Sequence, residues 1–203
     1  MVSAPGILIA MRAAGLLLTG GASRRMGRDK ATLTLTPPGE SLAGRTARLL
    51  AAVTYPAFEV GPGHSQLPAI AEGQPGAGPL AAVAAGRRAL CAFGWTGAAV
   101  VVATDLPRLT VDLLSWLVEH PAPGSVIPVV QDVPQTLCAR YAAADLERAV
   151  ALVDAGRRSL RDLLNGSDAL LAGPEEWEPA AGDPAALFDV DTPADLAQLG
   201  AHR

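Results

Sequence analysis

The chain has 203 residues, a formal net charge of −4 and only 18% charged residues. This length fits one domain with a substantial core, and the acidic balance argues against a broad basic surface for nucleic acid. The two cysteines, Cys91 and Cys138, are widely separated and indicate neither a disulfide framework nor a zinc motif. Composition therefore favours a protein of a reducing compartment, and we expect it in the cytoplasm.

The N-terminus, "MVSAPGILIAMRAAGLLL", has some features of a signal peptide. No positive charge precedes its apolar stretch, however, and Arg12 divides that stretch in two. It is also shorter than the roughly 20 apolar residues that a membrane span needs. We therefore expect a flexible tail over residues 1–12, one domain over residues 13–203, and no membrane segment.

Apolar runs alternate with helical patterns along the rest of the chain. Strands are predicted over residues 13–19, 56–61, 98–104, 124–130, 136–141 and 186–191. Helices are predicted over residues 41–53, 78–93, 110–120, 143–154, 159–165 and 192–199, with Thr110 capping the third of them. This alternation predicts a single three-layer α/β/α domain with a mainly parallel, Rossmann-like sheet.

A glycine pair with nearby positive charges directly follows the first predicted strand, in "LTGGASRRMGRDK" (residues 18–30). Ligands of open α/β sheets bind where loops leave the carboxyl ends of the strands. Gly20 and Gly21 allow backbone N–H groups to approach an anion closely, and Arg25 and Lys30 can neutralise a polyphosphate. The Walker A and Rossmann glycine spacings are both absent. A glycine pair alone would fit a solvated turn, but together these residues predict a phosphate-binding loop of another kind.

Lysine usage supports the same interpretation. Of the 16 basic residues, Lys30 is the only lysine. A compact ammonium on a flexible stem can act as a point charge between phosphates, where a planar guanidinium would be bulky. The placement of the single lysine in this loop therefore favours a phosphate contact.

The loop resembles the signature Leu-Ala-Gly-Gly-x-Ser-x-Arg-Met-Gly-x-Asp-Lys of the MobA-like nucleotidyltransferases. The resemblance covers roughly residues 14–197, and the further segments that carry it follow in the family's order. They are "GAGPLAAVAAG" (76–86), "VVVATDLPRLT" (100–110), "PQTLCARY" (134–141), "AGRRSLRDLL" (155–164) and "FDVDTPADL" (188–196).

The resemblance implies a Mg²⁺-dependent transfer of GMP from GTP to molybdopterin cofactor, with release of pyrophosphate. It also implies proteins that deliver or receive the cofactor; we expect the chain itself to be a monomer. The implied contacts are Leu18, Thr19, Gly20 and Gly21 along the nucleotide, Arg25 and Lys30 on the β- and γ-phosphates, and Asp105 on the nucleotide-bound metal.

Several residues depart from the family's pattern. Thr19 replaces an alanine and adds a hydroxyl that could bond to the nucleotide. Glu72 aligns with an aspartate near the base or ribose, where a carboxylate can accept hydrogen bonds from guanine N1–H and N2–H₂; an exposed loop acid is the alternative. Asp189 and Asp191 replace asparagines and point to one face of the predicted last strand. Either could be a second metal ligand, and Asp191 is preferred.

Other functions remain open at this point. A cytidylyltransferase branch of the same family typically has Leu-Ala-Ala-Gly in the loop, so the pair Gly20–Gly21 favours guanine. A sugar-nucleotide pyrophosphorylase is disfavoured by the short chain. A non-catalytic nucleotide-binding module is disfavoured because Arg25, Lys30 and Asp105 are all present.

Overall fold

The computed structural model describes residues 12–20, 30–34, 39–73 and 77–189. The strands are β1 (Ala14–Leu18), β2 (Ala57–Val60), β3 (Ala69–Ile70), β4 (Ala99–Ala103), β5 (Val126–Val130), β6 (Val133–Pro134), β7 (Cys138–Tyr141) and β8 (Leu170–Ala172). The helices are α1 (Leu42–Val53), α2 (Pro79–Phe93), α3 (Val111–Glu119), α4 (Ala143–Asp154), α5 (Leu160–Leu164) and α6 (Pro174–Ala181), and a 3₁₀ turn spans Lys30–Thr32.

The strands form one mixed sheet in the order β3-β2-β1-β4-β7-β5-β6, with β8 also paired to β5. The segment β3-β2-β1-β4 is parallel throughout, whereas β7 is antiparallel to both β4 and β5. The mainly parallel α/β sheet predicted from the sequence is confirmed. The strand predicted over 136–141 is β7, and its antiparallel direction was not predicted.

Side chains alternate between the two faces of the central strands, as the strand period requires. Leu17 of β1 packs on one face with Leu50 of α1, Leu113 of α3 and Trp177 of α6. On the other face, the partners of Leu16 come from the remaining helices: Leu80 from α2, Leu146 from α4 and Leu163 from α5. Helices therefore cover both faces of the sheet, which gives the three layers expected from the sequence.

Local signals explain where several helices begin and end. The side chain of Ser41 accepts a hydrogen bond from the Gly44 N–H at 3.0 Å and caps α1. Thr110 caps α3 in the same way through the Leu113 N–H at 3.2 Å, which confirms the predicted cap. Pro79 occupies the first turn of α2, where its missing N–H costs little. None of the helices in the described ranges is long and apolar enough to cross a bilayer.

The predicted last strand is wrong for the part that the structure describes. Residues 186–189 form turns and irregular backbone instead. Asp183 organises this turn: its carbonyl accepts a hydrogen bond from the Ala186 N–H, and its side chain accepts from the Ala185 N–H and from Arg108. Backbone groups used in this way cannot pair with a strand. The helix predicted over 192–199, and all but Arg12 of the predicted N-terminal tail, lie outside the described residues.

Helix α6, which the sequence did not predict, is anchored by Trp177. This side chain is 1% exposed, and its indole N–H donates to the Val129 carbonyl of β5 at 3.1 Å. Trp177→Ala should lower the free energy of unfolding by about 3–5 kcal/mol, as for other buried tryptophans. Denaturant unfolding measures this, with Trp116→Ala on the half-buried Trp116 of α3 as the matched control. Equal losses in the two variants would contradict the anchoring role.

Candidate functional site

The carboxyl ends of four parallel strands lie at one level of the sheet. Leu18, the last residue of β1, pairs with Val60 of β2 on one side and Ala103 of β4 on the other. Val60 in turn pairs with Ile70 of β3. The residues that follow each strand therefore share one edge of the sheet, where ligands of such folds bind.

Two residues predicted for the nucleotide site meet at this edge. The carboxylate of Glu72, two residues beyond β3, lies directly against Gly20, the second residue after β1. A Cβ atom at position 20 would overlap that carboxylate, so the contact requires glycine. Glu72 is half-buried. The start of the glycine loop is thus in contact with the side chain predicted to lie near the base or ribose.

Asp105 follows β4 at the same edge and is half-buried. Burial, together with the negative charge of Asp105, raises the pKa of the Cys138 thiol to about 12. The carboxylate of Asp105 is therefore within electrostatic range of the first residue of β7. This keeps Cys138 a neutral, inert thiol beside a charged carboxylate.

The other predicted site residues are placed less completely. Lys30 is the first residue of the 3₁₀ turn that precedes α1. Asp189 is exposed, after the turn that replaces the predicted last strand. Gly21, Arg25 and Asp191 lie outside the described residues. The structure therefore brings Leu18, Thr19, Gly20, Glu72 and Asp105 to one edge of the sheet, and the assignments of the others stay predictions.

The sequence did not point to Glu59, yet its side chain accepts five hydrogen bonds at this edge. It lies on β2 and is fully buried. Its carboxylate accepts hydrogen bonds from the hydroxyls of Thr19 at 2.6 Å and Ser65 at 2.7 Å. It also accepts from the backbone N–H groups of Gly63 at 2.9 Å, His64 at 2.7 Å and Ser65 at 2.7 Å. The only signal in the sequence is an acidic residue inside a short apolar strand.

The hydrogen bonds keep Glu59 ionised despite its burial. Burial alone would raise its pKa, but the bonds from Thr19, Ser65 and the His64 N–H outweigh that effect, and the pKa of Glu59 lies below its ordinary value of 4.5. The bond from Thr19 also gives a role to the hydroxyl at position 19, where the family has an alanine. Because the Thr19 hydroxyl donates to Glu59, its one hydrogen is not directed at a ligand.

Two cavities are of a size to hold ligands, and the smaller one reaches this edge at Glu72. An open cavity of about 870 Å³ is lined by the first turn of α2, the β6–β7 segment and α5. A smaller cavity of about 280 Å³ has Glu72 in its wall. Arg158 lines both cavities. The larger cavity also contains Arg161, Thr136, Ser159 and Asn165, so its wall offers two positive charges and several hydrogen-bonding groups.

The chemistry of this edge suits Mg²⁺. Within the described ranges, no group of three or more His, Cys, Asp and Glu side chains is close enough together to hold a metal. Magnesium at nucleotide sites does not need such a cage, because one or two carboxylates hold it together with substrate phosphates and water. Asp105, a hard oxygen donor beside the glycine loop, fits that arrangement.

The fold and this edge define a nucleotidyltransferase, and comparison with known proteins gives the family. Residues 15–172 match the MobA-like NTP transferase domain, and the chain belongs to that family of enzymes. A probable molybdenum cofactor guanylyltransferase of Mycobacterium marinum is 34% identical over 194 residues, which cover 92% of each chain. One of the same description from Mycobacterium tuberculosis is 36% identical over 164 residues, covering 77% of this chain and 81% of that one.

Solved structures agree on the fold. Molybdopterin-guanine dinucleotide biosynthesis protein A of Archaeoglobus fulgidus superposes with a TM-score of 0.74 at 23% identity, over 91% of this chain and 95% of that one. A 2-C-methyl-D-erythritol 4-phosphate cytidylyltransferase of Thermus thermophilus gives a TM-score of 0.61 at 17% identity, over 93% and 98% of the two chains. The same α/β sheet therefore occurs in proteins whose names specify different nucleotides.

The lowered pKa of Glu59 predicts an acid-dependent stability. A carboxyl group with a depressed folded-state pKa stabilises the fold above its unfolded-state pKa, and this contribution is lost as the pH falls through the folded-state value. The stability difference between the unmodified protein and Glu59→Gln should therefore be largest near neutral pH and shrink below pH 4.5, the ordinary value.

Urea unfolding at a series of pH values measures this difference. Glu119→Gln, at the exposed last residue of α3, is the control for the same chemical change. A difference for Glu59→Gln that stays constant from neutral pH to pH 3 would contradict an ionised, hydrogen-bonded Glu59.

Proposed function

We propose that this enzyme transfers GMP from GTP to molybdopterin cofactor, with Mg²⁺, and releases pyrophosphate. The observation that carries the proposal is the contact between Gly20 and Glu72, which joins the glycine loop to a carboxylate able to read guanine. The names of the mycobacterial relatives support the same reaction.

The reaction needs little covalent chemistry from the protein. An oxygen of the acceptor phosphate attacks the α-phosphorus of GTP, and the bond from that phosphorus to the oxygen bridging to the β-phosphorus breaks. The electron pair leaves with pyrophosphate. The protein must hold the two reactants in line and stabilise negative charge on the leaving group.

The proposed roles of individual residues rest on the family motif and, for Thr19 and Gly20, also on their position directly after β1. Thr19 and Gly20 begin the loop at the end of β1, so their backbone lies beside the nucleotide together with Leu18 and Gly21. We assign Arg25 and Lys30 to the β- and γ-phosphates, where positive charge favours departure of pyrophosphate.

Asp105 is the residue that would hold Mg²⁺, and Asp191 is the proposed second ligand. When bound, the ion would neutralise charge on the phosphates and so favour attack at the α-phosphorus. Asp105 itself supplies a fixed oxygen ligand at the end of β4. Its position is set by the buried strand before it, in which all five residues are buried.

The cavity of about 870 Å³ is the proposed acceptor site. Arg158 and Arg161 line it and can bind the acceptor's phosphate. Because Arg158 also lines the cavity beside Glu72, acceptor and nucleotide would occupy adjacent spaces. We further propose that the enzyme works as a monomer in the cytoplasm and exchanges the cofactor with delivering or receiving proteins.

Cytidylyl transfer is the alternative within the same fold. The Glu72 carboxylate favours guanine, because guanine N1–H and N2–H₂ are two adjacent donors that cytosine does not present in that pattern. The unmodified enzyme should therefore use GTP in preference to CTP, ATP and UTP when pyrophosphate release is measured with Mg²⁺ and molybdopterin cofactor.

Glu72→Ala should lower kcat/KM for GTP about 10- to 100-fold, as for a lost hydrogen bond to a charged group, and should narrow the gap between GTP and CTP. Glu178→Ala on the exposed face of α6 is the matched control and should leave the gap unchanged. Equal use of GTP and CTP by the unmodified protein would refute guanylyl transfer.

Lys30 and Asp105 test the assignment of the catalytic groups. Lys30→Arg should fold and yet be poorly active, because a guanidinium restores the charge without the geometry of an ammonium. Asp105→Asn should lose Mg²⁺-dependent turnover by about 10²-fold or more, while metal-free GTP binding survives better. Pyrophosphate release is measured beside a thermal melt. Near-normal release by either folded variant would mean that the active site is elsewhere.

A further inference from the structure

We propose that Glu59 is a positioning residue for the nucleotide, because it fixes Thr19 and, through it, the first glycine of the phosphate loop. This inference rests on the proposed nucleotide site, although it does not depend on which base binds there. Glu59 itself is fully buried, so it is not placed to contact the nucleotide. It acts on the side chains and backbone that do.

The first connection runs from Glu59 to the glycine loop. Thr19 is the first residue after β1, and its hydroxyl donates to Glu59 at 2.6 Å. Its backbone N–H donates to the Val60 carbonyl at 3.1 Å. Thr19 is thus held to β2 by both its backbone and its side chain. Gly20, the next residue, then lies against the carboxylate of Glu72.

The second connection runs from Glu59 to the segment between β2 and β3. The N–H groups of Gly63, His64 and Ser65 all converge on the same carboxylate. Gly61 begins this segment with a φ of +152°, and a Cβ there would overlap the Thr19 hydroxyl. One carboxylate therefore ties the start of the glycine loop to the segment that leads through β3 to Glu72.

A carboxylate is costly at such a position, and the core does not require one. Glu59 lies between Phe58 and Val60 on a strand whose other residues are apolar. A buried carboxylate is tolerated only when donors satisfy it. Here two hydroxyls and three N–H groups do so, and every one of these donors belongs to a segment that directly follows the carboxyl end of β1 or β2.

A glutamine cannot replace this acceptor. The side chain of glutamine has one acceptor oxygen and an NH₂ group. Both carboxylate oxygens of Glu59 accept from backbone N–H groups, so the NH₂ group would face at least one N–H donor. Glu59→Gln should therefore release part of the 63–65 segment or the Thr19 hydroxyl. The glutamine side chain has nearly the same volume as that of glutamate, so the variant alters hydrogen bonding without opening a cavity.

The experiment compares Glu59→Gln with Arg87→Gln. Arg87 is 2% exposed and pairs with Glu147 at 2.9 Å between α2 and α4. Its other partner, the Gly97 carbonyl, precedes the amino end of β4, at the opposite end of that strand from the site. Loss of Arg87 should destabilise the fold without reaching the site. Steady-state pyrophosphate release gives KM for the nucleotide, KM for the acceptor and kcat, and a thermal melt gives stability. Binding of a fluorescent mant-GTP gives affinity without turnover.

A positioning role predicts that Glu59→Gln lowers kcat/KM for the nucleotide about 10- to 100-fold, as small misplacements near reacting groups do. KM for the nucleotide should rise more than KM for the acceptor, and Arg87→Gln should show neither change at a comparable loss of melting temperature. If Glu59→Gln only melts earlier and keeps its kcat/KM and mant-GTP affinity, the inference is wrong and Glu59 is structural.

Thr19 variants decide the matter if Glu59→Gln does not fold. Thr19→Ser keeps a hydroxyl donor, so it should retain most nucleotide affinity, whereas Thr19→Val should lose it. Where all variants fold, the effects of Thr19→Val and Glu59→Gln on kcat/KM should be less than additive, because both disturb the hydrogen bonds of one carboxylate. Additive effects, or equal affinity in Thr19→Ser and Thr19→Val, would overturn the connection.

The outcome is separable from that of the proposed function. If the unmodified enzyme prefers CTP, guanylyl transfer fails and the Glu59 comparison is repeated with CTP and mant-CTP. If the unmodified enzyme uses GTP and Glu59→Gln has the same KM and kcat/KM for the nucleotide, only the positioning inference fails.

Discussion

The parallel pairing of β1 with a strand on each side constrains everything built at the edge of the sheet. β1 pairs with β2 and β4 over nearly its whole length, and helices cover both of its faces. A strand held on four sides cannot slip, because a shift of one residue would turn each buried side chain to the wrong layer. The loop that begins at Thr19 therefore starts from a fixed point, level with the ends of β2 and β4.

Three carboxylates lie at the same edge, and their negative charges are compensated in different ways. Glu59 is satisfied within the protein by hydroxyl and N–H donors, so it contributes order without requiring a ligand. Glu72 and Asp105 are half-buried and are proposed to face the base and the metal. An acidic edge would repel a polyphosphate. The proposed Arg25, Lys30 and Mg²⁺ would supply the charge that makes binding favourable.

Much of the fold could be predicted because its main elements have strong local patterns. β1 and β4 are uninterrupted apolar runs between turn residues, and α3 has a cap and a regular apolar period. The two-residue strands β3 and β6 are too short for any pattern, and their pairing is decided by neighbouring strands. Helix α6 has a proline inside it and depends on Trp177. The segment 186–188 is apolar, but Asp183 and Arg108 hold it in a turn.

The site likewise has residues that local sequence patterns predict and residues that only distant contacts reveal. Leu18, Gly20 and Asp105 could be predicted because they lie at or just after strands with a strong apolar pattern. The role of Glu59 could not, because its partner Thr19 is 40 positions away in sequence and no local pattern reveals that contact.

Arginine usage shows why a single lysine can be meaningful in this chain. Arg140 donates to the carbonyls of His120, Ala122 and Gly124 at once, which suits the planar fork of a guanidinium. Others form pairs such as Arg87 with Glu147 and Arg108 with Asp183. Arg158 and Arg161 differ: within the described part of the chain, neither forms a salt bridge with an acidic side chain, and both line the larger cavity. Their charge fits the proposed anionic acceptor, and the point charge of Lys30 is the one proposed for the phosphates of the nucleotide.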